Sequence, residues 1–338
     1  MAVNQKYYQM PGHIIAASVA LSLIDIIALI LRIWTRKKQR QALKADDWLI
    51  LPATLLTMGI GISLIYGVSQ RALGYPTRMP VSFAGNPLEL ETEQITMVAK
   101  LQWAFDLMVP LALGCVKASF LFFYRRIFAV NKKSAINYLL IGLITLIFAW
   151  SASYVVAFIF QCRLDFFAIW GSAMDLITYC NGSMNLALSL CITDFIFDTI
   201  VILLPIPLIW RLNLSTMKKV AICAIFLLGA ATVAASLARL IIMARIATVG
   251  FDAKEDEVFV ITEYLYWGIV ECGVSIFAAC LPSLQFLFRG WSWDSFIQTT
   301  RSIFSRNYSK SQIFPVGKEE IYVNRECDVI YENNRNTP

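Results

Sequence analysis

The sequence has little charge and almost no histidine. Only 15% of the 338 residues are Asp, Glu, Lys or Arg, whereas a soluble domain carries about 25%. The single histidine, His13, lies near the N-terminus, and the eight cysteines contain no CxxC pair. Haem ligation, His-ligated metal sites and Ser/His/Asp hydrolysis all need a placed imidazole. We therefore expect no metal site and no cofactor.

The sequence also contains no segment that we expect to form a folded soluble domain. Nucleic-acid binding requires a continuous basic surface on such a domain, and the net charge of +6 is divided among separate loops. We therefore expect no nucleic-acid partner. The first apolar run is of spanning length, has no basic region before it and ends in a basic cluster. This arrangement predicts a retained helix rather than a cleaved signal peptide.

The chain does contain long apolar runs. Hydrophobic residues make up 58% of the sequence, and seven segments of roughly 20 residues are long enough to cross about 30 Å of hydrocarbon. The prediction is an all-α, multi-pass membrane protein, a seven-helix bundle over 13–288 with a lipid bilayer around it. The helices are predicted near 13–34, 48–69, 98–123, 137–159, 189–210, 219–242 and 262–288.

Basic residues predict the orientation of this bundle. Nineteen Lys and Arg residues fall in loops one, three and five and in the tail, against seven on the opposite side. Cytosolic loops carry the basic excess, so residues 1–12 are predicted outside and the tail in the cytosol. Residues 289–310 have the spacing of an interfacial amphipathic helix, and 311–338 have the composition of a disordered tail. These basic loops and the tail offer a surface to a cytosolic partner.

The fourth loop carries two cysteines, Cys162 and Cys180, followed by the sequon Asn181-Gly-Ser183. An outer loop faces an oxidising compartment, so a Cys162–Cys180 disulfide is predicted; the alternative is two unrelated thiols. Asn181 is the only one of three sequons on the outer side and is the predicted glycosylation site. Its closeness to the expected membrane surface would hinder that modification.

Charged residues lie inside the predicted helices, where each costs several kcal/mol by insertion scales. Counting at about 1.5 Å per residue from the helix ends predicts two charge layers. The inner layer pairs Lys117 with Asp198, and Asp25 is a further carboxylate for it. The outer layer is drawn from Asp106, Arg239 and Glu271. Pairing that fixes helix packing explains such residues, and proton transfer or ligand binding explains them equally.

Asp194 lies one helical turn from Asp198 on the same face, and depth counting finds no partner for it. Asp194, Asp198 and Lys117 are therefore the candidate catalytic residues. Pro205 and Pro207 follow them in the same predicted helix. Each proline removes a backbone hydrogen bond, so a kink is expected there. The kink would act as a hinge, or it would only set the direction in which the chain leaves the helix.

Several motifs resemble those of the fungal rhodopsin-domain integral membrane proteins, which include the satratoxin-cluster family and the Pth-eleven-like receptor candidates. The matching pieces are Asp46-Asp47-Trp48-Leu49, KASFLFFYRRIF at 117–128, Phe160-Gln161-Cys162 with Trp170 and Cys180, the Asp198-to-Trp210 segment with its two prolines, and Cys280-Leu281-Pro282. They follow one another in the family's order. Residues 262–288 contain no lysine, so no retinal is expected. Class A receptor signatures are also missing from helices three and seven.

The resemblance implies a receptor-like or accessory role in a secondary-metabolite pathway, since short members of that family are encoded in such gene clusters. A second hypothesis is a membrane-embedded cyclase or isomerase acting on a lipophilic intermediate, with Asp194, Asp198 or Lys117 as acid or base. A third is a small-molecule transporter, because Asp25…Trp34 loosely echoes Asp198…Trp210. In each case the partner is a lipophilic small molecule.

Overall fold

The computed structural model describes residues 9–77, 91–128, 135–163, 165–180, 182–206, 216–249 and 256–289. Seven helices in these ranges are long and apolar enough to cross a membrane, which confirms the predicted all-helical, seven-span architecture. A short helix, α5, lies between the fourth and fifth of them. The helices are α1 Pro11–Lys38, α2 Ala45–Ser69, α3 Glu93–Phe128, α4 Ala135–Ile159, α5 Ala173–Tyr179, α6 Ser183–Leu203, α7 Thr216–Val249 and α8 Glu257–Arg289.

Local chemistry sets the junction between α1 and α2. The last turn of α1 carries Arg36, Lys37 and Lys38, which favourably face the negative end of the helix dipole. Asp46 and Asp47 stand in the first turn of α2, where the dipole favours anions. The backbone N–H of Lys44 also donates to the Asp47 carboxylate at 3.2 Å, so a side chain satisfies a donor ahead of the first turn of α2.

Helix α6 differs from its predicted bounds of 189–210. It begins at Ser183 and ends at Leu203, and the N–H of Leu204 closes the last turn on the carbonyl of Ile200. Leu204 keeps right-handed helical geometry, and residues 205 and 206 are again helical. Pro205 has no N–H to donate to the carbonyl of Val201, so it interrupts the hydrogen bonds of the helix at this point. Residues 207–210 lie outside the described residues, and the predicted end at 210 stays a prediction. Pro207, the sequon residue Asn181 and the predicted tail segments beyond Arg289 lie outside the described residues.

The spanning helices form a closed ring in which each packs on its neighbours in chain order and α1 packs on α8. Helix α3 also packs on α6 and α8, and α2 on α8. The spanning windows of α3 and α8 are 61% and 67% buried, against 22–39% for the other five. Helices α3 and α8 are therefore the inner helices, and polar residues on them are the ones best shielded from lipid.

The bundle is apolar outside and polar in parts of its interior. Leu55, Ile62 and Leu227 are more than 60% exposed, as expected for side chains that face hydrocarbon. A close approach at the centre depends on a small residue: a Cβ on Gly268 of α8 would lie 2.1 Å from Cζ of Phe105 in α3. The absence of a side chain at Gly268 thus allows the two inner helices to pack tightly.

Candidate functional site: a buried charge network between two cavities

A network of five charged side chains lies in the middle of the bundle. Lys117 of α3 donates to Asp194 Oδ1 of α6 at 2.8 Å and also bonds Asp198, one turn along the same helix. Arg239 of α7 donates from Nη2 to Asp194 Oδ2 at 2.6 Å. Its Nη1 lies 3.3 Å from Glu271 Oε2 of α8. Asp194 therefore joins the two cations, and the network connects four helices.

This arrangement differs from the two predicted layers. Lys117 does meet Asp198, and Arg239 does meet Glu271, but Asp194 links both pairs into one network. The prediction that Asp194 has no partner at its depth is wrong. A lysine side chain has a flexible four-carbon stem, so one ammonium group reaches two carboxylates that stand one turn apart.

Burial restricts the chemistry that this network can perform. Asp194, Arg239 and Glu271 are fully buried, Lys117 is 3% exposed and Asp198 is 8% exposed. Oxygens of Asp194, Asp198 and Glu271 lie within 4.8 Å of one another, a spacing that suits a metal ion. Lys117 and Arg239 already stand among them as cations, and their charges offset two of the three carboxylates. The geometry thus favours an ion-pair network over a metal centre.

Asp106 lines a neighbouring cavity and is not a member of this network. It accepts a hydrogen bond from the Tyr264 hydroxyl at 3.2 Å. The guanidinium carbon of Arg239 lies 6.0 Å from the centroid of the Tyr264 ring, within the range of a cation–π contact. Tyr264 therefore stands between Asp106 and Arg239, and it connects the cavity with the charge network.

We call this cavity the disulfide-end cavity, because the loop that carries Cys162 and Cys180 borders it. Its volume is about 80 Å³. The Trp103 indole donates to the carbonyl of Phe158 at 3.2 Å and packs edge-on against Trp170 of the loop, with ring centroids 5.4 Å apart. The lining residues come from α3, α4, the loop, α5, α6, α7 and α8: Ala99, Gln102, Trp103, Asp106, Phe158, Gln161, Ile169, Leu176, Ser183, Met184, Ala187, Met243, Ile246, Glu257, Ile261 and Tyr264.

A smaller cavity of about 40 Å³ lies on the other side of the network, and we call it the Lys117 cavity. Lys117 and Asp198 border it, together with Pro205 at the end of α6. Its remaining walls are mostly apolar and come from α3, α6, α7 and α8. The charge network thus lies between two cavities. Asp106 and Tyr264 line the disulfide-end cavity, and Lys117 and Asp198 line the Lys117 cavity.

Asp25 of α1 is the predicted carboxylate that the structure does not bring into the network. It is 1% exposed, and neither carboxylate oxygen has a hydrogen-bond partner among the described residues. Thr57 of α2 and Ser18 of α1 also have buried hydroxyls without a partner there. Asp25 is therefore buried apart from the charge network, and its carboxyl group has no partner in the described part of the chain.

A second buried cluster was missed by sequence reasoning. Arg32 of α1 bonds Asp47 Oδ1 at 2.8 Å and Asp46 Oδ2 at 3.0 Å, and it also donates to the carbonyl of Ala279 in α8. Arg36 bonds the same two carboxylates at 3.2 and 3.0 Å. We call these four side chains the Arg32 cluster. The available signal was an i, i+4 arginine pair followed closely by an Asp-Asp pair at the next helix start.

The structure contains the disulfide between Cys162 and Cys180, which joins residues 18 apart in sequence. Both cysteines are buried with Ala168 and Ile169 in a small apolar cluster. Closing a loop of this length stabilises a fold by about 3 kcal/mol in the chain-entropy model. The disulfide therefore holds the loop that borders the disulfide-end cavity.

We expect Cys162→Ser to lower the melting temperature of the purified protein by several degrees, because the roughly 3 kcal/mol of loop closure is lost. Melting curves with and without dithiothreitol measure this effect. Reductant should bring the parent protein towards the variant and leave the variant unchanged. The control is Cys115→Ser, which removes a free thiol. An equal effect of the two substitutions would contradict a stabilising disulfide.

Comparisons with known proteins agree with this architecture. The family model described as the fungal rhodopsin domain matches residues 31–290. The phomoidride biosynthesis cluster protein H of a fungal species is 24% identical over 84% of this chain and 91% of its own length. A SAT4 family membrane protein of Emericella nidulans is 29% identical over 67% of this chain and 55% of its own. The receptor GIN3 of Arthrobotrys oligospora is 24% identical over 77% of this chain and 58% of its own.

The family match covers six of the seven spanning helices whole and the last turns of α1, from residue 31 onwards. It includes every member of the charge network and the Arg32 cluster. Seven spanning helices and this match make the chain a multi-pass membrane protein, and the chain belongs to the fungal rhodopsin domain family.

Proposed function

We propose that the protein is a receptor-like membrane protein that responds to a lipophilic small molecule in or beside a secondary-metabolite pathway. The observation that carries this proposal is the continuous set of contacts from the disulfide-end cavity to the charge network. Tyr264 lines the cavity and contacts Asp106 and Arg239, and Arg239 bonds Asp194. A ligand that displaced Tyr264 would change the packing of four helices at once.

The names of two relatives support the same proposal. One is a biosynthesis cluster protein that this chain matches over 91% of that relative's length. The other is named a receptor. The lining of the disulfide-end cavity is mostly apolar and includes a few polar groups, a combination that small-molecule sites share, and its volume of about 80 Å³ suits a small ligand. Together these observations favour a ligand that is either a membrane component or a lipophilic product of the pathway.

The Lys117 cavity favours a membrane-embedded cyclase or isomerase as the second candidate, because Lys117 and Asp198 both border it. A general acid or base must come within hydrogen-bond reach of the substrate. Asp194 is fully buried and bonds two cations, so substrate reaches only Lys117 or Asp198 without rearrangement of the network. The receptor proposal needs no such access and is therefore preferred.

Deletion of the gene, followed by metabolite profiling and transcript measurement, separates these functions. We expect the whole pathway to fall silent, with lower transcripts of the biosynthetic genes, because a sensor acts before synthesis. Accumulation of one intermediate with unchanged transcripts would support the enzyme instead. Product retained inside the cells would support a transporter. Either of these two results would overturn the receptor proposal.

A matched pair of variants tests the cavity itself. Ala187→Phe in α6 fills the disulfide-end cavity, which Ala187 lines at 5% exposure. Ala234→Phe in α7 makes the same change at an exposed position that faces lipid. We expect Ala187→Phe to reproduce the deletion phenotype at a normal membrane level of the protein, and Ala234→Phe to leave pathway output unchanged. Full output with Ala187→Phe would exclude this cavity as the ligand site.

A further inference from the structure

A third cavity opens where the α1–α2 connection meets the ends of α3 and α8. Its volume is about 190 Å³, larger than either cavity beside the charge network. One part of its lining is polar or basic and the other part is apolar. The lining residues are Arg36, Gln39, Gln41, Phe123, Arg126, Ile127 and Pro282. We call it the Arg126 cleft.

The polar part of the cleft has an excess of positive charge. Arg126 donates to the Gln41 side-chain oxygen at 2.7 Å, and Arg36 donates to the same oxygen at 3.0 Å. Asp46 and Asp47 offset the charge of Arg36. Arg126 has no carboxylate partner among the described residues. Within the described part of the chain, its guanidinium group is therefore a cation without a carboxylate, and it has donors left for an anion.

Two exposed tryptophans mark the depth of the cleft. Trp34 is 48% exposed near the end of α1, and Trp48 is 60% exposed at the start of α2. Exposed tryptophans concentrate at the level of the lipid headgroups. Arg36, which lines the cleft, follows Trp34 by two residues. The polar part of the cleft consequently lies at headgroup depth.

The apolar part of the cleft extends from Ile127, beside Arg126 at the end of α3, to Phe123, one turn closer to the middle of that helix. Phe123 and Ile127 stand one turn apart on α3, and Ile127 is 45% exposed. Pro282 of α8 borders the same space. A ligand in this cleft thus meets a cation on one side and lipid-accessible apolar side chains on the other. Every phospholipid combines a phosphate with acyl chains, and an anionic phospholipid adds the net negative charge that complements Arg126.

We propose that the Arg126 cleft binds the headgroup of an anionic phospholipid, with its phosphate on Arg126 and its acyl chains along Phe123 and Ile127. Basic pockets between helices on the cytosolic side commonly bind such headgroups. An acidic protein segment would satisfy Arg126 but would leave the apolar wall beside it without a matching group. A free phosphate ion would satisfy only the basic part. The bilayer around the bundle supplies the lipid.

Native mass spectrometry of the full-length protein in detergent tests this site. The probe is dioctanoyl phosphatidylinositol 4-phosphate, and dioctanoyl phosphatidylcholine serves as the neutral lipid. We expect bound phosphatidylinositol 4-phosphate to exceed phosphatidylcholine, and Arg126→Gln to weaken its binding about fivefold to tenfold. The same experiment with inorganic phosphate tests the role of the acyl chains, and we expect far weaker binding of the free ion.

The control is Lys38→Gln, which removes one exposed charge at the same end of the bundle but does not line the cleft. Lipid binding should be almost unchanged in that variant. Equal loss in the two variants would mean general charge attraction and would overturn the proposal, as would equal binding of inorganic phosphate. If Arg126→Gln does not fold, Arg126→Lys takes its place. It keeps the charge but loses the fork of donors, and an unchanged affinity there would overturn the arginine contact.

Discussion

Asp194→Asn is expected to destabilise the bundle by about 3–5 kcal/mol, the cost of breaking a buried ion pair by removing one partner. Asp194 is the one carboxylate among the described residues that bonds both Lys117 and Arg239. Among the described residues, Arg239 would then keep Glu271 and Lys117 would keep Asp198. Each buried cation would lose one of its two carboxylates, and the one left to Arg239 is the more distant, at 3.3 Å against 2.6 Å. We expect a large loss of folded protein after solubilisation, measured by size-exclusion chromatography and by thermal melting.

Asp25→Asn is the matched control for this experiment. The substitution at Asp25 is the same chemical change at nearly the same burial, since Asp25 is 1% exposed and Asp194 is 0% exposed. The carboxyl group of Asp25, however, has no partner among the described residues. A buried carboxyl group without a partner has no ion pair to lose when an amide replaces it, and the amide carries no charge that the bilayer interior would disfavour. The expected result is an unchanged or higher melting temperature. Equal destabilisation by both substitutions would show that burial alone, rather than the network, decides the effect.

The seven helices could be predicted from sequence because two simple quantities determine them. A spanning segment needs about 20 apolar residues, and every backbone polar group in hydrocarbon must be bonded within the helix. Both requirements are local and can be read along the chain. The position of a helix start depends on local details that hydrophobicity does not contain. Helix α6 begins at Ser183 rather than at the predicted 189, directly after Gly182 in the left-handed region.

The partners of the buried charges could be predicted only in part. Depth counting gives the height of a residue along its own helix, and it brought Lys117 level with Asp198. The rotation of each helix about its axis decides which neighbour a side chain faces, and no count along one helix contains it. Side-chain reach matters as well: the long stems of Lys117 and Arg239 meet at Asp194 from two different helices.

The Arg32 cluster shows a different limit. Arg32 lies inside the first apolar run, and Asp46 and Asp47 open the second, so each set is visible in the sequence. Their pairing depends on how the short connection at 39–44 folds back between α1 and α2. The structure adds the carbonyl of Ala279 and the hydroxyl of Ser119, which bonds the carbonyl of Asp46 at 2.7 Å. Contacts from α3 and α8 cannot be inferred from the two neighbouring helices alone.

Arg32→Met is expected to destabilise the protein by about 3–5 kcal/mol. Methionine keeps the apolar stem of the side chain and removes the guanidinium group, so the bonds to Asp46, Asp47 and Ala279 are lost while packing is largely retained. Only Arg36 then faces two buried carboxylates. Lys37→Met is the control, since it removes an exposed charge from the last turn of the same helix, and its effect should lie within about 0.5 kcal/mol.

The double variant Arg32→Met/Asp46→Leu distinguishes a lost ion pair from a general loss of packing. Arg36 and Asp47 remain as a balanced pair in it, because one cation and one anion have been removed together. Replacing buried ionic groups by apolar ones of similar volume is often neutral or stabilising. The double variant should therefore be more stable than Arg32→Met, with a coupling of about 0.5–3 kcal/mol between contacting sites. If the effects of the two single substitutions simply add, Arg32 stabilises the protein through its packing and its bond to Ala279, and not through the carboxylates.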